Sequence, residues 1–150
     1  MKAIELSPRP PVTIDCSDTV HQAAVVMAKT GVGALIVLDA GVPVGVVTDR
    51  DIVTRGVAHR HPADARIDGL MSMGLIALDV GDELEDVMHA FEHHAVRRLP
   101  VVDGSEVVGV VSLDDVITLL VNDLAHVSKV VAAQIMFPHA NDEAAAPSRM

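Results

Sequence analysis

Apolar residues recur along this chain in two rhythms. Val20, Ala23, Ala24, Met27 and Ala28 return every three or four positions, the spacing of one helical face. Asp18 precedes them as the expected N-cap, and Gly31 follows Thr30 as the expected left-handed stop. Ala34 to Leu38 is then apolar without a break, which predicts a buried strand. Asp39-Ala40-Gly41 supplies a turn, and Val44 to Val47 is the returning strand of a hairpin. Asp49 to Arg55 opens a second helix that Gly56 stops. A short strand is expected at Val12 to Ile14, behind the stiff lead-in Ser7-Pro8-Arg9-Pro10-Pro11.

The same order returns 64 positions later, with Gly45-Val-Val-Thr48-Asp-Arg-Asp51 matching Gly109-Val-Val-Ser112-Leu-Asp-Asp115. The register holds backwards without a gap: Asp15 meets Asp79, Asp18 meets Asp82, Leu35 meets Leu99 and Val37 meets Val101. The second copy is expected as a strand near Ile76 to Leu78 and a helix capped by Asp82. A hairpin of Leu99 to Val102 and Val107 to Val111 follows, then a last helix from about Asp114. Each copy reads β-α-β-β-α, an α+β fold. One copy alone buries too little surface, so the two are expected to pack through their sheets with pseudo-two-fold symmetry. The predicted organisation is a first repeat over 1–62 with the lead-in and a second over 63–120, opened by a short helix at Ile67 to Met71. A C-terminal helix extension over 121–136 and a flexible tail over 137–150 complete it. Ile117, Leu120, Leu124, Val127 and Val131 mark one side of that helix.

Composition narrows the function classes. The chain has 150 residues, half of them apolar, with two Phe and no Trp or Tyr. The core must be aliphatic, and aromatic platforms for single-stranded nucleic acid are missing. A net charge of −10 without a basic stripe disfavours phosphate-backbone binding, so no nucleic-acid partner is expected. One or two local arginines would still suffice for a small phosphorylated ligand. No apolar run approaches about 18 residues, so no membrane span is expected. The N-terminus lacks a signal-peptide core, and the single Cys16 fits a reducing compartment. A cytoplasmic protein follows as the expectation.

The repeated motif places a hydroxyl, Thr48 or Ser112, where a strand becomes a helix. Helix starts present unpaired N–H groups that favour an anion. An Asp one turn on, Asp51 or Asp115, can accept hydrogen bonds from vicinal ribose hydroxyls. Plain capping explains a single match equally well. Two matches at corresponding places favour binding, and the two roles are compatible.

With those residues in view, the chain resembles a tandem cystathionine-β-synthase (CBS) domain pair, or Bateman module. Val96-Arg97-Arg98-Leu99-Pro100-Val101-Val102 and the pre-repeat segment Gly69-Leu70-Met71-Ser72 add to the resemblance, which covers about residues 1 to 120. It implies adenosyl ligands in clefts between repeats: AMP, ADP or ATP foremost, then S-adenosylmethionine or NAD. Thr48 and Ser112 would contact phosphate, Asp51 and Asp115 would hold ribose, and Arg97 and Arg98 would pair with phosphate. Adenine would lie near the opening strands, around Thr13-Ile14 and Ala77-Leu78, with Ala34 beside it. The first copy has Gly33-Ala34 where the second has Arg97-Arg98, so two unequal clefts are expected, with Arg50 partly compensating.

Other signals carry less. His89 and His93 lie four apart on a helix but have no obvious third ligand, and His59 and His61 sit in the linker, so no metal site is expected. Cys16 has no base or orienting group assignable to it, and no nucleophile triad, P-loop or GxGxxG occurs. The expectation is a non-catalytic regulatory module, a homodimer by family resemblance, which acts on a protein effector or through assembly. The alternative is a structural or interaction dimer with vestigial clefts.

Overall fold

The computed structural model describes residues 1–7 and 9–137. The expected tail lies outside the described residues from position 138 on. The chain divides into two units, Met1–Leu113 and the segment from Asp114 on.

The first unit holds both hairpins. Its strands are β1 (Thr13–Asp15), β2 (Ala34–Asp39), β3 (Val42–Thr48), β4 (Ser72–Met73), β5 (Leu78–Asp79), β6 (Arg98–Asp103) and β7 (Glu106–Ser112). β1 to β4 form one sheet in that order, and β5 to β7 form another. In each sheet a parallel pair precedes an antiparallel hairpin, and each hairpin carries an irregularity at the same place, Val37/Leu38 and Val101/Val102. β3 approaches β7, which brings the two sheets together.

Two helices cover the sheets: α1 (Val20–Thr30) and α3 (Leu84–His94). α1 ends on Gly31 in the left-handed region, as its sequence predicts, and α3 ends on Ala95 in the same conformation. The caps lie one residue beyond the expected aspartates. Thr19 Oγ1 accepts the Gln22 N–H at 3.1 Å, and Gln22 Oε1 accepts the Thr19 N–H at 2.7 Å. Glu83 and Asp86 form the matching box on α3. Asp18 and Asp82 instead accept the N–H of Asp15 and Asp79, closing the turn between strand and helix.

The core repeats in register. Ile14, Met27, Leu35, Val37 and Val47 are buried in one sheet's layer, and Leu78, Phe91, Leu99, Val101 and Val111 in the other's. The repeat extends into the connecting segments. Ile67 and Leu70 are buried, and so are their counterparts Ala3 and Leu6. Residues 63–70 dock at the start of α1, where Ile67 N–H donates to Asp18 O at 2.7 Å. Residues 1–6 dock at the start of α3, where Ala3 N–H donates to Asp82 O at 2.7 Å. The N-terminal lead-in thus packs on the second repeat, and the linker packs on the first.

The glycines of the repeated motif serve this docking. A Cβ on Gly45 would lie 2.5 Å from the Ser72 carbonyl oxygen, and one on Gly109 would collide with the Ser7 side chain. Ser7 Oγ accepts the Val110 N–H at 2.8 Å and donates to Val110 O at 3.0 Å, occupying the edge of β7 as β4 occupies that of β3.

The helix expected at Asp49 to Arg55 is a composite. Its α-helical part, α2 (Asp49–Asp51), widens into a π turn at Ile52–Gly56, then tightens into a 3₁₀ turn at Val57–His59. In the second unit, α4 (Leu113–Met136, beginning at the boundary) is one 24-residue helix. By length and composition it could cross a membrane, with a mean hydropathy of 1.5. Asp123 and Lys129 break the run without lowering the average below that of a span.

Candidate functional site

A cleft of about 400 Å³ opens within the first unit, in the size range of small-molecule sites. Thr48, Asp49, Arg50 and Asp51 line one wall, and Val96, Arg97, Arg98, Leu99 and Pro100 line another. Ala34 and Val46 contribute from β2 and β3, and Leu75 and Ile76 from the segment before β5. The hydroxyl and carboxylate therefore come from the first repeat and the arginine pair from the second. Their convergence could not be read from either copy alone.

Thr48 ends β3 and caps α2. Its Oγ1 accepts the Asp51 N–H at 3.1 Å, while Asp51 Oδ2 accepts the Thr48 N–H at 2.9 Å. Capping and cleft lining thus fall on the same two residues. Asp51 Oδ1 lies 3.7 Å from Arg55 Nε, and Asp51 is only 15% exposed. The Arg55 guanidinium is also tied to the Leu70 carbonyl at 3.3 Å, which connects this turn to the linker segment. Asp49 N–H donates to Gly33 O, and a Cβ on Gly33 would lie 3.1 Å from Asp49 Oδ2. The counterpart bond is Leu113 N–H to Arg97 O at 2.9 Å.

The brevity of α2 changes the electrostatics. With three α-helical residues before the π turn, it has little macrodipole to offer an anion. Positive charge at the cleft comes from the side chains of Arg50, Arg97 and Arg98, all exposed, against the carboxylates of Asp49 and Asp51.

Two residues expected to contact adenine lie elsewhere than this cleft's lining. Ile14 and Leu78 are buried in the core, 5% and 2% exposed, and neither is among the residues lining this cleft. Alternation along a strand explains it: Ile14 points inward between the exposed Thr13 and Asp15, and Leu78 points inward beside the exposed Asp79. Leu75 and Ile76, just before β5, line the cleft. Ser112 ends β7 and Asp115 lies in the first turn of α4; neither lines this cleft.

Pro100 removes a backbone donor that its counterpart in the first repeat supplies. In the first repeat, Ile36 N–H donates to Val12 O at 3.0 Å. Pro100 stands at the place of Ile36, and Ile76 at the place of Val12. Proline has no N–H to give the Ile76 carbonyl. The interruption lies where both residues line the cleft.

Outside the cleft, His89 and His93 stack with ring centroids 6.0 Å apart. Among the described residues no three His, Cys, Asp or Glu side chains gather as metal ligands. Burial first, then the Asp39 and Asp15 carboxylates, push the Cys16 thiol up from its ordinary pKa, the opposite of nucleophile activation.

Comparison with known proteins gives this geometry a family. The CBS-domain family model matches residues 3–57 and 67–122. The chain is 35% identical over 116 residues to the CBS domain-containing protein YhcV of Bacillus subtilis, covering 77% of this chain and 81% of that one. A solved structure of a protein with CBS domains from Burkholderia ambifaria superposes with a TM-score of 0.74 at 26% identity, covering 82% of this chain and 96% of that one. The CBS domain protein PAE2072 of Pyrobaculum aerophilum, solved in complex with AMP, superposes with a TM-score of 0.70 at 30% identity, covering 77% and 89%. The two matched segments coincide with the two repeats, and the chain belongs to the CBS-domain family as a tandem pair.

Proposed function

We propose that this protein is a regulatory module that binds an adenosine phosphate in the cleft between Thr48–Asp51 and Val96–Pro100. One observation carries the reading: a hydroxyl, a carboxylate and three guanidinium groups line one cleft of fitting size. Asp51 Oδ1 faces no closer donor than Arg55 at 3.7 Å and accepts ribose hydroxyls. Arg97 and Arg98 take the phosphates, with Arg50 across the cleft. The Ile76 carbonyl, passed over by Pro100, accepts the adenine amino group. The relative solved with AMP supports this ligand class. Three guanidinium groups against two carboxylates favour AMP, ADP or ATP over the cationic S-adenosylmethionine.

Binding residues drawn from both repeats give the ligand leverage on their arrangement. A ligand that prefers one arrangement shifts the population toward it, and the signal passes to an effector or through assembly. No catalytic step belongs to this reading.

A thermal-shift panel of AMP, ADP, ATP, NAD and S-adenosylmethionine tests it. At a hundredfold excess over Kd, a site specific to the folded state adds about 2.7 kcal/mol, and Tm rises by roughly 5–10 °C. The phosphates are expected to produce that rise. An unmoved Tm with every compound at millimolar concentration contradicts the proposal and leaves a structural module with a vestigial cleft.

A further inference from the structure

We propose that Arg55 is a positioning residue for the cleft: it ties the segment 70–76, which carries one wall, to the Asp51 that takes the ribose. Arg55 stands four residues after Asp51 in the π turn Ile52–Gly56, and its Nε lies 3.7 Å from Asp51 Oδ1. Its Nη1 donates to the Leu70 carbonyl at 3.3 Å and to the Met71 carbonyl at 3.5 Å. One guanidinium thus spans the turn that presents the carboxylate and the start of the segment. The segment then pairs with β3 through the two residues of β4, Ser72 and Met73. Gly74, at φ 83°, makes the turn beyond it, and Leu75 and Ile76 follow at the cleft. Ser72, Gly74, Leu75 and Ile76 all line the cleft, whereas Arg55 does not. Arg55 acts through them.

The chemistry singles out arginine. A guanidinium offers several N–H donors in a fixed fork, enough for two carbonyls and a carboxylate at once, while a lysine ammonium is a point charge on a flexible stem. The Arg55 side chain is half exposed, at 51%, so its ion pair with Asp51 adds little to stability. What the contacts fix is geometry, namely the separation between the Asp51 carboxylate and the wall formed by Leu75 and Ile76. A site whose supporting residues leave it loose by about 1 Å loses binding even though every contacting residue is still present. The internal repeat shows that this tether is local. Leu119, a side chain without a donor, occupies the place of Arg55 in the second copy, and Ser7 Oγ bonds Val110 at the edge of β7. The tether therefore belongs to the repeat whose Asp51 lines the cleft, and not to the packing that both repeats share. This role presupposes an adenosine phosphate in that cleft.

Calorimetric titration of ATP and of CTP into the full chain, with hydrogen–deuterium exchange of the ligand-free chain, tests it. CTP keeps the ribose and the triphosphate and changes only the base. Arg55→Ala is expected to weaken ATP about tenfold or more and CTP by less than about twofold, because the wall against the base is what moves. Its Tm is expected within about 3 °C of the wild type. Without nucleotide, amides of residues 70–76 are expected to exchange at least about tenfold faster in Arg55→Ala, and those of residues 1–7 at the wild-type rate. Arg55→Lys keeps the charge beside Asp51 without the fork and is expected to bind ATP at least about threefold more weakly than the wild type. It also stands in for Arg55→Ala should circular dichroism show that variant unfolded. Unchanged exchange over 70–76, equal losses for ATP and CTP, or full recovery by Arg55→Lys overturns the role. A wild type that binds ATP and an Arg55→Ala that binds it as tightly overturn the role alone. A wild type that binds neither nucleotide overturns the nucleotide reading of the cleft together with it.

Discussion

Gly45 and Gly109 leave no room for a methyl group. The motif they open invites a reading in which every fixed residue serves a ligand, yet their place is set by packing. The Ser72 carbonyl lies 2.5 Å from where a Gly45 Cβ would stand, and that atom is backbone. Gly45→Ala is expected to cost about 1–3 kcal/mol, read as a lowered denaturant midpoint. An unchanged midpoint would contradict the packing role. Asp51 carries two roles that one substitution can separate. Asn keeps an oxygen for the Thr48 N–H but gives up the charge and an acceptor for ribose. Asp51→Asn is expected to weaken nucleotide binding tenfold or more while shifting stability by less than about 0.5 kcal/mol. Asp51→Ala should lose both binding and the cap, the latter worth about 1 kcal/mol. Equal binding by Asp51→Asn and wild type would show that the carboxylate does not hold the ligand. Residue type made Thr48, Asp51 and the arginines legible as candidates. It could not show that Ile14 and Leu78 turn inward, because that depends on where a two- or three-residue strand begins.

At the scale of elements, apolar rhythm located both hairpins and both long helices of the first unit. The caps moved by one residue because Thr19 and Glu83 find partners three residues on, while Asp18 and Asp82 are taken by the preceding turn. The composite α2 was not legible, since nothing local in Asp49 to Gly56 marks the change from α to π spacing. The largest departure concerns the connecting segments. Ile67 to Met71 reads as a short helix opening the second repeat, yet Ile67 and Leu70, 0% and 2% exposed, pack on the first. They complete the first repeat's core, with Ile67 hydrogen-bonded beneath α1. Leu70→Ala is expected to cost about 2–5 kcal/mol, the range for truncating a buried leucine, measured by urea unfolding. A cost near zero would mean the segment is an accessory rather than part of the repeat.

For the whole molecule, the repeat dictates the fold, and its imperfection dictates the chemistry. Two copies in register give two sheets with matching cores. Arg97-Arg98 against Gly33-Ala34 breaks the match, and the arginine pair lines the cleft that Thr48 and Asp51 also line. The asymmetry was visible along the sequence, but which motif the arginines would join was a matter of three-dimensional arrangement. The central claim is that these residues of different repeats bind one adenosine phosphate together. Isothermal titration of ATP into the wild type and Arg98→Ala tests it most directly. The account predicts one tight site per chain in the wild type and at least a tenfold weaker one in Arg98→Ala, about 1.4 kcal/mol or more. No heat of binding at millimolar ATP, ADP or AMP, or an affinity unchanged by Arg98→Ala, would contradict it.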